Sequence, residues 1–254
     1  YRKLKGLEDM ISLSIVHPFM GDKGWTFAEG AGVIADPIVK ADYLYEVYIA
    51  AKPDYTGRVT VPILWDKETN TIVSNESSEI IRMFNSAFDE VGATAVNFLP
   101  AELLAEIDTV NEFVYSAVNN GVYKAGFATT EAAYKEAVIT LFDALDTLEA
   151  RLVDQRYLLG NTITEADWRL FTTLVRFDAV YVGHFKCNIR RIVDYPNLWG
   201  YLRDLYQVPG IAETVSIEHI KGHYYTSHAN INPTRIIPIG PLLDFNEPYD
   251  RAHL

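Results

Sequence analysis

The chain has one cysteine, Cys187, in 254 residues. An internal disulfide is therefore excluded, and the usage fits a reducing compartment, so a cytoplasmic protein is expected. Long apolar runs are also missing. None approaches the roughly 18 residues that a membrane helix needs, so no membrane partner is expected. Positive charge is scarce: 22 Lys and Arg stand against 34 Asp and Glu, a net charge of −12. Such a field repels nucleic acid and anionic lipid, although one local cation could still hold a small anion. No internal repeat or low-complexity tract is found.

What is present is a hydrophobic fraction of 49% and sixteen tyrosines, whose hydroxyls are neutral donors suited to a desolvated site. Tyr1 to Leu7 reads as the end of a helix, with Lys3 and Lys5 in its last turn and Gly6 as a left-handed cap. Met10 to Val16 alternates Ile11, Leu13 and Ile15 with serines, the period of a half-buried strand. Residues 18–40 read as a loop, and Asp42 to Ala51 as a helix stopped by Pro53. From Pro100 onward the pattern is helical. Leu103, Ile107, Val110, Val114 and Val118 form one apolar stripe; Tyr134, Val138, Leu141, Leu145, Leu148 and Leu152 form another. "ITEADW" supplies Thr164 as a helix cap with Asp167 closing a capping box. Helical segments continue through His219, and the tail from about Thr226 is irregular. The expected organisation is an α/β domain over 1–95 followed by an all-helical domain over 96–254.

"RVTVPILWDKETNTIVSNESSEIIRMF", residues 58–84, breaks a strand-like run at Pro62, which cannot donate to a sheet ladder. A polar turn, a short strand at Thr71–Val73 and a polar helix start follow. A strand ending before a cis proline, then a hairpin and a helix N-terminus, is how a thioredoxin-like fold builds a thiol-binding site. The arrangement suits glutathione: its cysteinyl backbone pairs with Val61, its γ-glutamyl carboxylate docks at Ser77, and Glu76 accepts from its ammonium. An edge-strand proline and an ordinary polar cap would read the same way.

With the helical half behind it, the chain resembles the glutathione transferase superfamily, and within it the Xi class of glutathionyl-hydroquinone reductases. The stretches that carry the resemblance run from residue 2 to 228: "RKLKGLEDMISLSIV", "GWTF", "VPILWDKETNTIVSNESSEIIRMFN", "NNGVYKAGFA", "GNTITEADWRLFTTLVRFDAVYVGHFKCN" and "HIKGHYYTSH". The resemblance implies a thioredoxin-like domain followed by an all-α domain. It also implies that Trp25, Arg58, Val59, Thr60, Val61, Pro62, Glu76 and Ser77 contact glutathione, and that the protein is a homodimer. Tyr123 is implied to exchange a proton with the aromatic substrate, while Tyr181 and Tyr224 approach a nucleophilic cysteine and favour its thiolate. The three hydroxyls are expected to converge beside Pro62. In the family that cysteine lies in a Cys-Pro-Trp-Ala-His-Arg motif at a helix start, about nine residues ahead of Tyr1. The first strand of the sheet is expected there as well.

The implied reaction is attack of the thiolate on a glutathionyl-hydroquinone, release of hydroquinone, and resolution of the mixed disulfide by a second glutathione. Two other readings stand beside it: omega-like thioltransfer or dehydroascorbate reduction, and a non-catalytic binding module. Cys187 is expected to be a structural thiol. His223 and His228 flank two tyrosines without a third ligand, so no metal is expected. Asp143, Asp146 and Glu149 read as a solvated acidic helix face.

Overall fold

The computed structural model describes residues 1–254. Along the chain run α1 (Leu44–Ala51), β1 (Leu64–Asp66), β2 (Thr71–Ser74), α2 (Ser77–Ser86), α3 (Leu104–Val114), α4 (Gly121–Gly126), α5 (Glu131–Arg151), α6 (Glu165–Arg176), α7 (Pro196–Tyr206) and α8 (Ile217–Ser227). They form two compact units: Tyr1–Val96 with Glu218–Ala229, and Asn97–Ile217 with Asn230–Leu254. No helix is long and apolar enough to cross a membrane.

The first unit is α/β. Its opening turn closes as the sequence predicts, with Leu7 N–H donating to the Arg2 carbonyl, Gly6 N–H to the Lys3 carbonyl, and Gly6 at φ +64°. Lys5 differs from an ordinary last-turn lysine. Its buried ammonium donates to the carbonyls of Asn85 and Val96 at 2.8 Å and to Asp89 at 2.9 Å.

Met10 to Val16 does not form the expected strand. Only Ile15 pairs, exchanging both backbone bonds with Ile34 at 2.9 and 3.0 Å. Alternating residues define a face, but a strand also needs a partner along its length. The strand expected from Val59 starts instead at Leu64, which pairs with Ser74 in the antiparallel β1–β2 hairpin. Pro62 lacks a donor, and the carbonyls of Arg58 and Thr60 accept from tyrosine side chains.

At the hairpin turn Asp66 accepts from the Glu68 amide and the Thr69 hydroxyl, and Asn70 takes φ +52°. Alternation along β1 divides the core. Ile63, Trp65 and Ile72 pack against Ala41, Leu44, Val47 and Tyr48, whereas Leu64 packs with Leu7, Ile80 and Phe84.

The second unit is helical, and the two apolar stripes line its core: Ile107, Val114, Val118, Leu141, Leu145, Leu148 and Leu152 are fully buried. Thr164 and Asp167 make the expected capping box on α6. Asp167 also accepts from Leu158 N–H and the Tyr201 hydroxyl, both at 2.9 Å. Burial pushes its carboxyl above the usual range against the pull of these bonds.

The acidic face of α5 is not simply solvated. Asp146 accepts from Arg190 at 2.6 Å and the Tyr195 hydroxyl at 2.8 Å. Glu149 accepts from the amides of Asn197 and Leu198 at 2.9 and 2.7 Å, capping α7 from another helix. Asp143 and Asp146 are exposed and Glu149 is half-buried, and of the three only Asp143 makes no such bond through its carboxylate. The irregular tail is fixed by buried Arg251, which donates to the carbonyls of Leu152, Gln155 and Arg156.

Candidate functional site

In the first unit the Val61–Pro62 peptide bond is cis, and Val61 is 43% exposed. Ser77 is the first residue of α2, and both Glu76 and Ser77 are exposed. The first-turn amides of a helix have no acceptor within it, so Ser77 and Ser78 present donors and the positive dipole end. Ser74, which the sequence reading passed over, sets this terminus. Its buried hydroxyl accepts from Glu76 N–H at 3.1 Å and donates to the Glu79 carboxylate at 2.7 Å.

Arg58, Val59 and Thr60 lead into Val61 outside any helix or strand. The Tyr55 hydroxyl donates to the Arg58 carbonyl at 2.7 Å, and the Tyr48 hydroxyl to the Thr60 carbonyl at 2.8 Å. Tyr48 also accepts from Thr60 N–H at 3.3 Å and from the Asn75 amide at 3.1 Å. One hydroxyl thus ties the approach to Val61 to the residue before Glu76.

Trp25 is half-buried on the loop ahead of α1, where its carbonyl caps the helix by accepting from Leu44 N–H at 2.9 Å. Its ring stacks on His223 at 4.5 Å between centroids. α8 runs through Ser227, eight residues past the helical end read from the sequence, because packing outweighs the weak propensities of Gly222 and its aromatic neighbours. His219 meets the Ala31 carbonyl, His223 the Pro18 carbonyl, and the Ser227 hydroxyl the Met20 amide. These three residues recur every fourth position and hold the loop that carries Trp25. That spacing was a signal in the sequence. Tyr224, next to His223, is buried, with ring contacts to His223 and His228 at 5.2 and 5.7 Å.

In the second unit Tyr123 lies on α4 and Tyr181 ends a π-helical turn over Phe177–Tyr181. Their ring centroids are 6.1 Å apart. Tyr123 is 40% exposed and Tyr181 only 2%. A second π-helical turn, Tyr115–Asn119, precedes α4. Its Asn119 amide donates to Thr173 at 2.6 Å and to the Arg169 carbonyl at 3.2 Å, fastening it to α6. Such turns often re-aim side chains at functional sites, and nothing in residue periodicity announced them.

Phe185 completes the cluster, stacked on Tyr181 at 5.5 Å and edge-on to Tyr123 at 5.6 Å. It lies over Gly126, where a Cβ would come within 2.2 Å of the ring. Cys187 is fully buried, and burial pushes its thiol up to about 12. It is a neutral core thiol at physiological pH.

Residues 1–87 match the family "Glutathione S-transferase, N-terminal domain", and residues 131–204 match "Glutathione S-transferase, C-terminal domain". The chain is 58% identical over 251 residues to the glutathionyl-hydroquinone reductase YqjG of Escherichia coli K12, covering 98% of this chain and 76% of that protein. The glutathione-bound structure of YqjG superposes with a TM-score of 0.97, covering 98% of this chain and 82% of that one. The Xi-class glutathione transferase of Natrialba magadii superposes at 0.98 with 52% identity, covering all of this chain and 78% of that one. A split into an α/β unit and a helical unit, with identity of this order running through both, settles the kinship: this chain belongs to the Xi class of the glutathione transferase family, the class of the glutathionyl-hydroquinone reductases.

Proposed function

We propose that the protein reduces glutathionyl-hydroquinones to hydroquinones at the expense of glutathione. A cysteine thiolate attacks the sulfur of the glutathionyl group. The carbon–sulfur bond to the ring breaks, the ring carbon gains the electron pair and a proton, and the two sulfurs form a protein–glutathione disulfide. A second glutathione thiolate then attacks that disulfide, returning the cysteine thiolate and releasing glutathione disulfide. The resemblance puts the nucleophile ahead of Tyr1. Cys187 is not it, because its thiol is buried and protonated.

Within the same proposal glutathione lies along Arg58–Pro62, with its cysteinyl backbone on Val61, its γ-glutamyl carboxylate on the Ser77 end of α2, and its ammonium on Glu76. Trp25 lines the same ligand. Tyr123 exchanges the proton at the ring carbon, and the hydroxyls of Tyr181 and Tyr224 favour the thiolate. The domains divide near residue 95, the protein is a homodimer, and it works in the cytoplasm; family kinship supports the dimer, and the lone buried cysteine suits the compartment.

The observation that carries the reading is 58% identity to a glutathionyl-hydroquinone reductase across 98% of the chain; an exposed Val61 beside a cis proline and an exposed Ser77 at the start of α2 support it. The test supplies a glutathionyl-hydroquinone and glutathione to the protein carrying the family's cysteine motif. Hydroquinone and glutathione disulfide are expected in equal amounts. Turnover of dehydroascorbate with none of the conjugate would favour the omega-like reading, and a folded protein inert to both would favour a binding module.

A further inference from the structure

The geometry points to Tyr48, assisted by Tyr55, as the residue that positions the glutathione-pairing edge. The inference rests on the proposed glutathione reading. In an extended chain the N–H and C=O of one residue face one side, and those of its neighbours face the other. Thr60 shows this directly, since both its N–H and its C=O meet the Tyr48 hydroxyl. The Arg58 carbonyl, two residues earlier, meets the Tyr55 hydroxyl on the same side.

The two tyrosines therefore hold the backbone of residues 58 and 60. Val61, 43% exposed and next to the cis bond, follows directly on this held segment, where an extended peptide would pair. Residues 58–60 lie outside β1, whose ladder with β2 begins only at Leu64. Tyr48 is well placed to hold them. It is 2% exposed, sits on α1 with its ring against Tyr55 at 4.9 Å, and belongs to the cluster that Val59 and Ile63 pack on.

The third bond extends the argument. Asn75 donates to the same hydroxyl at 3.1 Å and directly precedes Glu76 and Ser77. Tyr48 thereby fixes the distance between the edge that would receive the cysteinyl backbone and the helix end that would receive the γ-glutamyl carboxylate. Glutathione spans both, so spacing them in advance spares the ordering that binding would otherwise require. Tyr48 touches no ligand in this scheme; it acts through Thr60 and Asn75.

The test titrates glutathione calorimetrically into the complete protein, as wild type, Tyr48→Phe and Tyr55→Phe, with Tyr195→Phe as a control that loses a tyrosine hydrogen bond in the other unit. Tyr48→Phe, which removes three neutral hydrogen bonds, is expected to weaken glutathione by about tenfold, and Tyr55→Phe, which removes one, by less. Turnover at saturating glutathione should stay within about twofold of wild type, because the chemistry is not touched. Tyr195→Phe should lower thermal stability but leave glutathione affinity unchanged. Wild-type affinity in both Tyr48→Phe and Tyr55→Phe would overturn the inference while leaving the glutathione reading intact. If Tyr48→Phe does not fold, Tyr55→Phe decides by the same criterion. Failure of the wild type to bind glutathione would overturn the reading and the inference with it.

Discussion

Tyr123 and Tyr181 share an aromatic contact, yet one is 40% exposed and the other 2%. A proton donor must reach its substrate, and of this pair only Tyr123 has the surface to do so. Tyr123→Phe should therefore lower turnover on the order of 10²-fold, while the KM for glutathione stays within about twofold; steady-state kinetics with both substrates varied checks this. Cys187 gives a second expectation. Its folded pKa is raised from 9.0 to about 12 by burial. The protonated thiol is favoured in the folded state, so its contribution to stability is fully present below the ordinary thiol pKa and is lost as pH rises toward about 12. Urea unfolding across that window should show wild type losing stability relative to Cys187→Ala. Below it, the native protein should resist alkylation at Cys187, read by peptide mass. Val61, Pro62, Glu76 and Ser77 could be singled out in the sequence because a proline in a strand and a polar helix start are local signals. Tyr48, Ser74 and Phe185 could not, since each acts through partners that only the fold brings near.

The helices were legible where one face is apolar. The α3 and α5 stripes and the Thr164–Asp167 cap appear where the spacing puts them, because burial and capping are written in neighbouring residues. The hairpin was legible too, since β2 at Thr71–Ser74 covers the strand read at Thr71–Val73; the N-terminal strand was not, because pairing depends on distant segments, and Met10 to Val16 has the right alternation but one bridge. The acidic face of α5 misled for a similar reason, as the amides that Glu149 caps lie nearly fifty residues away. Glu149→Ala should lower stability by about 1–2 kcal/mol through the lost cap, whereas exposed Asp143→Ala should stay within about 0.5 kcal/mol; urea unfolding with unchanged slope measures both. Gly126 on α4 supplies a test with a reversed sign. Gly to Ala inside a helix ordinarily stabilises by up to about 1 kcal/mol. Here the added Cβ meets the Phe185 ring at 2.2 Å, and overpacking costs about 1–3 kcal/mol. Gly126→Ala should therefore lose stability, and with Phe185 displaced from Tyr123 and Tyr181 it should also lose turnover.

At the scale of the molecule, composition excluded more than it specified. A net charge of −12 disfavours nucleic acid and one cysteine excludes a disulfide within this chain, yet neither names a substrate. Order along the chain carried the rest: a thiol-site hairpin followed by long amphipathic helices matches the α/β and helical units that the structure contains. What order could not convey is that Glu218–Ala229, near the far end of the chain, belongs with the first unit. Its histidines reach back to Pro18 and Ala31, and a linear reading has no means of registering such a return. The central claim is that this fold moves a glutathionyl group from a hydroquinone to a protein thiolate. A single turnover without free glutathione, followed by intact mass and product analysis, tests it most directly. The account predicts one hydroquinone released per active chain, a protein heavier by one glutathionyl group, and discharge of that group as glutathione disulfide once glutathione is added. An intact conjugate beside a folded, unmodified protein that carries the family's cysteine motif would contradict it.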